Sequence, residues 1–340
     1  MNKLTKIGVS ALCGSLAAIA SANAGSLSAS GGATVTWSEV EGETTGNPLG
    51  MASAVSFKGS GELDNGNTVT LAIDQDDKSA YSASSITIGV AGVGDIAIDQ
   101  GAGGTGLDRI DDMIPTAWEE TNGTAVGTGA QTISGVGGSM NIEWNVDSGM
   151  LPDGMSLQLA YSPRAGTSGT SDKAQGGDVA TGQGWDVVLQ NSAMMDGLNV
   201  FAGYSTIEQN ATRANGDRKQ YALGATYAVG GLTFGYEYTR DNHNLHAVGG
   251  TSYYENDMYG VSFAVNDDLS ISYGVMKSQK VKNDGLATTD VELEANSLQM
   301  AYSMGGASLK IAETSVDNGT YVSTTANDKD GTTIALTLAF

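Results

Sequence analysis

The 340-residue sequence predicts an all-β protein, a 16-stranded antiparallel transmembrane β-barrel. Short stretches that alternate between apolar and polar residues follow one another along most of the chain. The connections between these stretches alternate between short turns and long polar segments. After the N-terminal leader, no stretch has the roughly 18 consecutive apolar residues that a membrane-spanning helix needs.

The first 24 residues have the pattern of a secretory signal peptide. Two lysines precede an apolar run at 7–20, and Ala-Asn-Ala at 22–24 fits a cleavage site. Cys13 is the only cysteine, so a mature chain starting at Gly25 has no disulfide. The leader holds two of the 16 basic residues and none of the 38 acidic ones, which leaves a net charge of −24. This charge disfavours nucleic acid as a partner and favours cations.

The strands are predicted from side-chain alternation. In 232–240, "LTFGYEYTR", every second residue from Leu232 to Tyr238 is large and apolar, and the residues between are small or polar. Because successive side chains of a strand point to opposite faces, one face is apolar and the other is not. The same reasoning predicts strands at 26–37, 52–63, 67–75, 84–91, 94–99, 139–146, 155–162, 183–190, 198–206, 218–229, 232–240, 255–265, 269–278, 291–303, 307–315 and 331–340.

The connections favour a membrane barrel over a soluble β-sandwich. Short turns are predicted at 64–67, 92–94, 230–231, 266–268 and 304–306, and long polar segments at 38–51, 163–182, 241–254, 279–290 and 316–330. A membrane barrel has short periplasmic turns, long outer loops, an apolar face toward lipid and a polar face toward a wet interior. Its closure also removes the sheet edges that lipid would leave unpaired.

Aromatic residues are expected in two belts, one at each membrane interface. If the first strand runs outward, the outer belt contains Trp37, Tyr161, Trp185, Tyr204 and Tyr238, and the periplasmic belt contains Trp144, Tyr227, Tyr302 and Phe340.

The signal peptide, the sixteen strands, a very long third outer segment and the terminal Phe340 together resemble the general bacterial porins of Gram-negative outer membranes. The resemblance implies an outer-membrane channel for passive diffusion of small hydrophilic solutes and ions. It also implies a homotrimer surrounded by membrane lipids and lipopolysaccharide. Phe340 would then be the assembly signal read by the outer-membrane assembly machinery. Small outward residues that would let neighbouring barrels pack closely are Gly31, Ala33, Gly59 and Gly61.

The third outer segment, 100–138, carries the predicted pore constriction. In the resembled family this loop folds into the barrel and narrows the pore. Early glycines give the segment flexibility, and "LDRIDDMIPTAWEE" predicts a short helix ending near Pro115. The predicted constriction residues are Asp108, Asp111, Asp112, Glu119 and Glu120, with Arg109 as the only base. The alternative is an acidic loop that stays outside in solvent.

The predicted pore wall contains few bases. The family sets loop acids against a basic patch, but the inward positions here offer only two lysines among several acids. The predicted wall residues are Lys58, Asp74, Asp99, Glu143, Glu237 and Lys310, together with the acids Asp95 and Asp186. This composition predicts a cation-preferring aqueous pore. No cofactor is expected, although carboxylate clusters of this kind can bind Ca²⁺.

An enzyme is not predicted. The pattern Gly101-x-Gly103-x-x-Gly106 fits a dinucleotide fingerprint, but the strand before it alternates with Asp95 and Asp99 instead of being apolar throughout. No nucleophile and base are arranged for covalent catalysis. Two other functions stay open: a substrate-specific outer-membrane channel, which needs an aromatic path through the lumen, and a non-channel surface adhesin, which needs no aromatic belts.

Overall fold

A computed structural model describes residues 25–41, 46–77, 82–124, 126–166, 181–210, 214–245, 247–248, 250–283 and 290–339. These residues form one closed barrel of 16 antiparallel strands, so the predicted fold is confirmed. The strands are β1 (Ser26–Val40), β2 (Leu49–Glu62), β3 (Thr68–Asp76), β4 (Ala83–Val90), β5 (Gly94–Gln100), β6 (Asn141–Val146), β7 (Met155–Ser162), β8 (Thr181–Asn191), β9 (Leu198–Gln209), β10 (Arg218–Val229), β11 (Leu232–Asn242), β12 (Thr251–Ala264), β13 (Leu269–Lys282), β14 (Val291–Met304), β15 (Ala307–Asp317) and β16 (Lys329–Ala339).

Closure joins the two ends of the sheet. Each strand pairs with its neighbours in sequence, and β1 also pairs with β16, from Gly32 opposite Ala339 to Val40 opposite Gly331. Every strand therefore has two partners, and no row of backbone hydrogen-bonding groups is left at an edge. Short 3₁₀ turns lie at Gly106–Arg109, Ser148–Met150, Gly319–Tyr321 and Thr325–Asn327. Among the described residues no helix is long and apolar enough to span a membrane.

Side-chain alternation separates the two faces of the wall, as the sequence predicts. Leu223 and Leu298 point outward and are 60% and 55% exposed, whereas their neighbours Ala222 and Ser297 point inward and are buried. The observed strands extend beyond the predicted ones mainly at their outer ends. There the cross-strand pairing continues into segments that look polar, as between Thr251 and Lys282.

The turns at the opposite end are tight. Between β4 and β5 the chain reverses within 91–93, and Gly94 has φ +113. A side chain there would be strained, and its Cβ would lie only 2.0 Å from the carbonyl oxygen of Asn145. Glycine is therefore required where this turn passes β6.

Outward aromatic rings lie near both ends of the strands. Tyr161 contacts Trp185 with ring centroids 4.2 Å apart, near the outer ends of β7 and β8. At the opposite end, the indole N–H of Trp144 donates to the carbonyl of Val93 in the β4–β5 turn, at 2.9 Å. The predicted signal peptide and Phe340 lie outside the described residues.

Candidate functional site

The segment between β5 and β6, residues 101–140 and called L3 below, lies inside the barrel. Its first half donates backbone N–H groups to inward side chains of successive strands. The donor and acceptor residues are Gly106 with Glu143 at 2.6 Å, Leu107 with Asp186 at 2.8 Å, Met113 with Glu237 at 3.0 Å, Ala117 with Ser272 at 2.8 Å and Glu119 with Gln299 at 3.0 Å. The acceptors belong to β6, β8, β11, β13 and β14, so this half of L3 follows the inner wall around the barrel.

The second half of L3 returns along the same wall, closer to the outer end. The backbone carbonyl of Gln131 accepts from Asn256 at 3.0 Å, and the N–H of Gly135 donates to Gln220 at 2.6 Å. Asn256 is opposite Thr239 on β11, two positions outward from Glu237. L3 therefore follows the wall twice, at two heights on β10 to β14, and its two halves meet on β8, where the N–H groups of Leu107 and Val136 both donate to Asp186.

Apolar contacts hold L3 to the wall as well. Leu107, Ile110 and Ile133 are fully buried and pack against Val188 and Phe201 on the inward faces of β8 and β9. Full burial of one such side chain contributes about 1.5–3 kcal/mol. The buried core is thus the layer between loop and wall, and L3 is a fixed part of the fold.

The predicted helix in L3 is largely wrong. Helical geometry is limited to the 3₁₀ turn Gly106–Arg109, which ends well before Pro115. The following N–H groups, such as those of Met113 and Ala117, donate to wall side chains. They are therefore not available for the bonds within the chain that a longer helix requires.

Four predicted pore-wall acids do not line the passage. They point inward from their strands but are at most 1% exposed, because L3 covers them: Asp99, Glu143, Asp186 and Glu237. Glu143 accepts the backbone N–H of Gly106 and forms an ion pair with Arg109. The prediction that these four carboxylates face the open pore is wrong. They hold the loop to the wall, and Arg109 lies at the wall because it is paired with one of them.

The open side of the lumen lies between L3 and β1 to β4, which carry none of the L3 anchors named above. On that wall Lys58 of β2 is exposed and Asp74 of β3 is half-buried. The predicted constriction carboxylates all belong to L3, and each is exposed or half-buried: Asp108, Asp111, Asp112, Glu119 and Glu120. The five loop carboxylates thus keep some contact with solvent, and Asp111, Asp112 and Glu120 line a small pocket with Met258 and Met276 of the wall.

The sequence model described as Gram-negative porin matches residues 8–296, which is most of the chain. The chain belongs to the Gram-negative porin family. It is an outer-membrane porin, and the barrel is its channel.

Solved porins share this fold at low sequence identity. Salmonella typhi OmpF, in a complex with daunomycin, is 16% identical, with a TM-score of 0.67 over 92% of this chain and 97% of that one. The trimer form of Vibrio cholerae OmpT is 11% identical, with a TM-score of 0.66 over 93% and 99%. A mutant of the Rh. blastica porin is 14% identical, with a TM-score of 0.59 over 93% and 100%. Comparison with curated proteins gives no significant match.

The carboxylates of this porin's L3 influence one another. Burial, and after it the neighbouring carboxylates of Asp108 and Asp112, raises the pKa of Asp111 to about 8. Burial and the nearby Glu120 also raise the pKa of Asp112. Among the described residues, no group of three or more acidic, histidine or cysteine side chains has the arrangement of a metal site. Calcium binding stays a prediction.

Several residues that position L3 in this porin carry no sequence motif that predicts this role. Gln299 accepts two loop N–H groups, Gln220 accepts one, and the hydroxyl of Tyr321 accepts the N–H of Gln131 at 2.8 Å. A large amide side chain at an inward position among small residues is the signal that would have found Gln299. Lys310, predicted as a wall residue, reaches the loop and lies against Trp118.

Proposed function

We propose that this porin forms a water-filled, cation-preferring channel for passive diffusion of small hydrophilic solutes and ions. One observation supports the proposal: the five carboxylates of L3 are exposed or half-buried, whereas the inward wall acids beneath the loop are buried. The five are at positions 108, 111, 112, 119 and 120. Among the described residues of β1 to β4, Lys58 is the one basic side chain that faces them.

The charges explain the preference for cations. Carboxylates around a narrow passage lower the barrier for cations and raise it for anions. Arg109 does little to offset them, because it is paired with the buried Glu143. Without a cluster of bases on the opposite wall, no strong transverse field is expected. The whole mature chain, at a net charge of −24, adds to the attraction for cations.

The assembly that we propose is a homotrimer in the outer membrane, exported through the signal peptide at 1–24. Vibrio cholerae OmpT, which shares the fold, has been solved in a trimer form. Lipids and lipopolysaccharide would surround the trimer, and Phe340 would be the signal read by the assembly machinery. The outward residues that would allow close packing of barrels are Gly31, Ala33, Gly59 and Gly61. No covalent chemistry and no resident cofactor are proposed, and Ca²⁺ on the acidic loops is a subsidiary proposal.

The test is single-channel recording in a planar bilayer under a salt gradient. The wild type is compared with the triple variant Asp108→Asn, Asp111→Asn, Asp112→Asn. Glu313→Gln is the control for a carboxylate outside the lumen. Glu313 is exposed on β15 opposite the outward Leu298, and its carboxylate accepts the hydroxyl of Thr332 at 2.8 Å.

We expect stepwise openings whose reversal potential favours cations. The triple variant should move this potential toward zero, and the control should leave it unchanged. A wild-type reversal potential of the sign expected for an anion-selective channel would contradict the cation preference. Saturable, solute-specific currents would instead indicate a substrate-specific channel. A folded barrel is heat-modifiable, which means that its migration on a gel changes when the sample is heated. The absence of openings from a heat-modifiable preparation inserted in the bilayer would contradict channel formation and favour the adhesin.

A further inference from the structure

An aromatic ring and a lysine meet where L3 approaches the last strands. The Nζ atom of Lys310 lies 5.8 Å from the centroid of the Trp118 ring. Lys310 shares the inward face of β15 with the buried Ala312. Its direct neighbours on β14 and β16 are Ala301 and Ala335. These small residues leave room for the lysine stem to extend toward the loop. Trp118 and Lys310 are both half-buried, so each contacts the protein and keeps part of its surface in solvent.

Gln299 fixes the backbone that carries this tryptophan. Its Oε1 accepts the N–H groups of Trp118 at 3.1 Å and of Glu119 at 3.0 Å, and its Nε2 donates to the carbonyl of Glu119 at 2.8 Å. Nε2 also donates to Ser297 at 3.1 Å, and Gln299 is 2% exposed. The backbone at 118–119 is therefore held in one place. The indole ring faces Lys310, with the Glu119 carboxylate next along the chain.

An indole face beside a carboxylate is a binding site for organic cations. The ring face attracts a cation within about 6 Å, and proteins use such faces to bind quaternary ammonium groups. In a channel, a solute that binds strongly leaves slowly and obstructs the flow. A free Trp118 face next to Glu119 would hold permeating ammonium compounds in this way. A lysine that is tethered to the wall can fill the same face without moving through the pore.

We propose that Lys310 is a specificity-determining residue that occupies the Trp118 face and so prevents organic cations from lodging in the constriction. The proposal rests on the proposed channel function and extends it to one class of solute, the quaternary and alkylated ammonium ions. It assigns Trp118 a contact with those solutes once the lysine is removed. Gln299 is the positioning residue that keeps Trp118 within reach of Lys310.

The experiment measures block of potassium currents by tetramethylammonium in wild type, Lys310→Gln and the double variant Lys310→Gln with Trp118→Leu. Lys58→Gln is the control for loss of one positive charge from the pore wall: both lysine variants should shift the reversal potential toward cations, and block by tetramethylammonium is the readout that separates them. Lys58→Gln removes the same charge from the inner wall, and the aromatic contacts found in the described part of the chain do not include Lys58. Heat-modifiable migration confirms that each variant is folded.

Tetramethylammonium should pass the wild type and Lys58→Gln without block. It should bind Lys310→Gln roughly 3- to 30-fold more strongly than the double variant, which is the range of a cation–π contact at partly exposed to desolvated sites. Equal block of wild type and Lys310→Gln, or block that persists in the double variant, would overturn the proposal. Absence of any potassium current from the folded wild type would instead contradict the channel function, so the two failures are distinguishable.

Discussion

Replacing Gln299 by leucine should release one short part of L3 and leave the rest of the loop in place. Leucine has a similar size, so the barrel wall should stay packed. The substitution removes three hydrogen bonds between this side chain and residues 118–119. Each bond contributes about 1 kcal/mol, so the local opening of these residues should become about 3 kcal/mol easier. Since about 1.4 kcal/mol corresponds to a factor of ten, opening increases roughly 150-fold.

Hydrogen exchange of the lipid-reconstituted protein, followed by mass spectrometry, measures this opening directly. The amides of Trp118 and Glu119 should lose roughly 150-fold in protection, the opening factor worked out above. Met113, whose N–H donates to Glu237 at 3.0 Å, should keep its protection. Gln220→Leu is the matched control, because Gln220 accepts a single loop N–H, that of Gly135. There the expected loss is only about 5-fold, from one bond of about 1 kcal/mol.

Two results would refute this reasoning. Unchanged exchange at Trp118 and Glu119 in Gln299→Leu would mean that apolar packing alone holds this part of L3. Equal acceleration at Met113 would mean that L3 leaves the wall as one unit, so that its anchors are not independent.

Three further predictions concern packing, pH and the tight turn. Leu107→Ala should weaken the contact between L3 and the wall by about 2–5 kcal/mol, seen as faster protease cleavage within L3 while the heat-modifiable barrel persists. Because the pKa of Asp111 is raised to about 8, cation selectivity should increase as pH rises through 8 and this carboxyl loses its proton. Asp111→Asn should flatten that pH dependence of the reversal potential. Gly94→Ala should reduce the folded fraction on refolding gels, because the new Cβ would meet Asn145 at 2.0 Å, whereas Gly92→Ala has open space around it and should cost less.

The strands were predictable because their signal is local. Strand β10 begins and ends at the predicted residues, Arg218 and Val229. Alternation with a period of two is readable within one strand, whatever lies next to it. The inward direction of Glu143 and Glu237 was predictable for the same reason. Their burial was not, because it depends on a loop that belongs to another part of the chain.

The path of L3 along the wall could not be predicted from the local sequence pattern, because contacts with distant residues determine it. Trp118 and Gln299, which are bonded through a backbone N–H, are 181 positions apart in sequence. The sequence around Trp118 contains an acidic run and a proline, which suggested a helix with carboxylates on it. The helix is absent because the wall supplies other partners for the backbone. The roles of the carboxylates in selectivity stay predictions that the recordings above test.

The order of the anchors along L3 bears on how the protein folds. Residues 106, 107, 113, 117 and 119 meet β6, β8, β11, β13 and β14, so loop and strands run in the same sequence. The loop can therefore dock one contact at a time as each new strand joins the growing sheet, while the sheet is still open. Pairing of β1 with β16 joins residues about 300 positions apart, so the contacts of L3 with β6 to β14 are closer in sequence than the contact that closes the sheet. L3 begins and ends at the outer ends of β5 and β6, so it has two routes to its place, along the growing sheet or through the open mouth of the barrel. Only the first route lets each docked contact guide the strand that joins next.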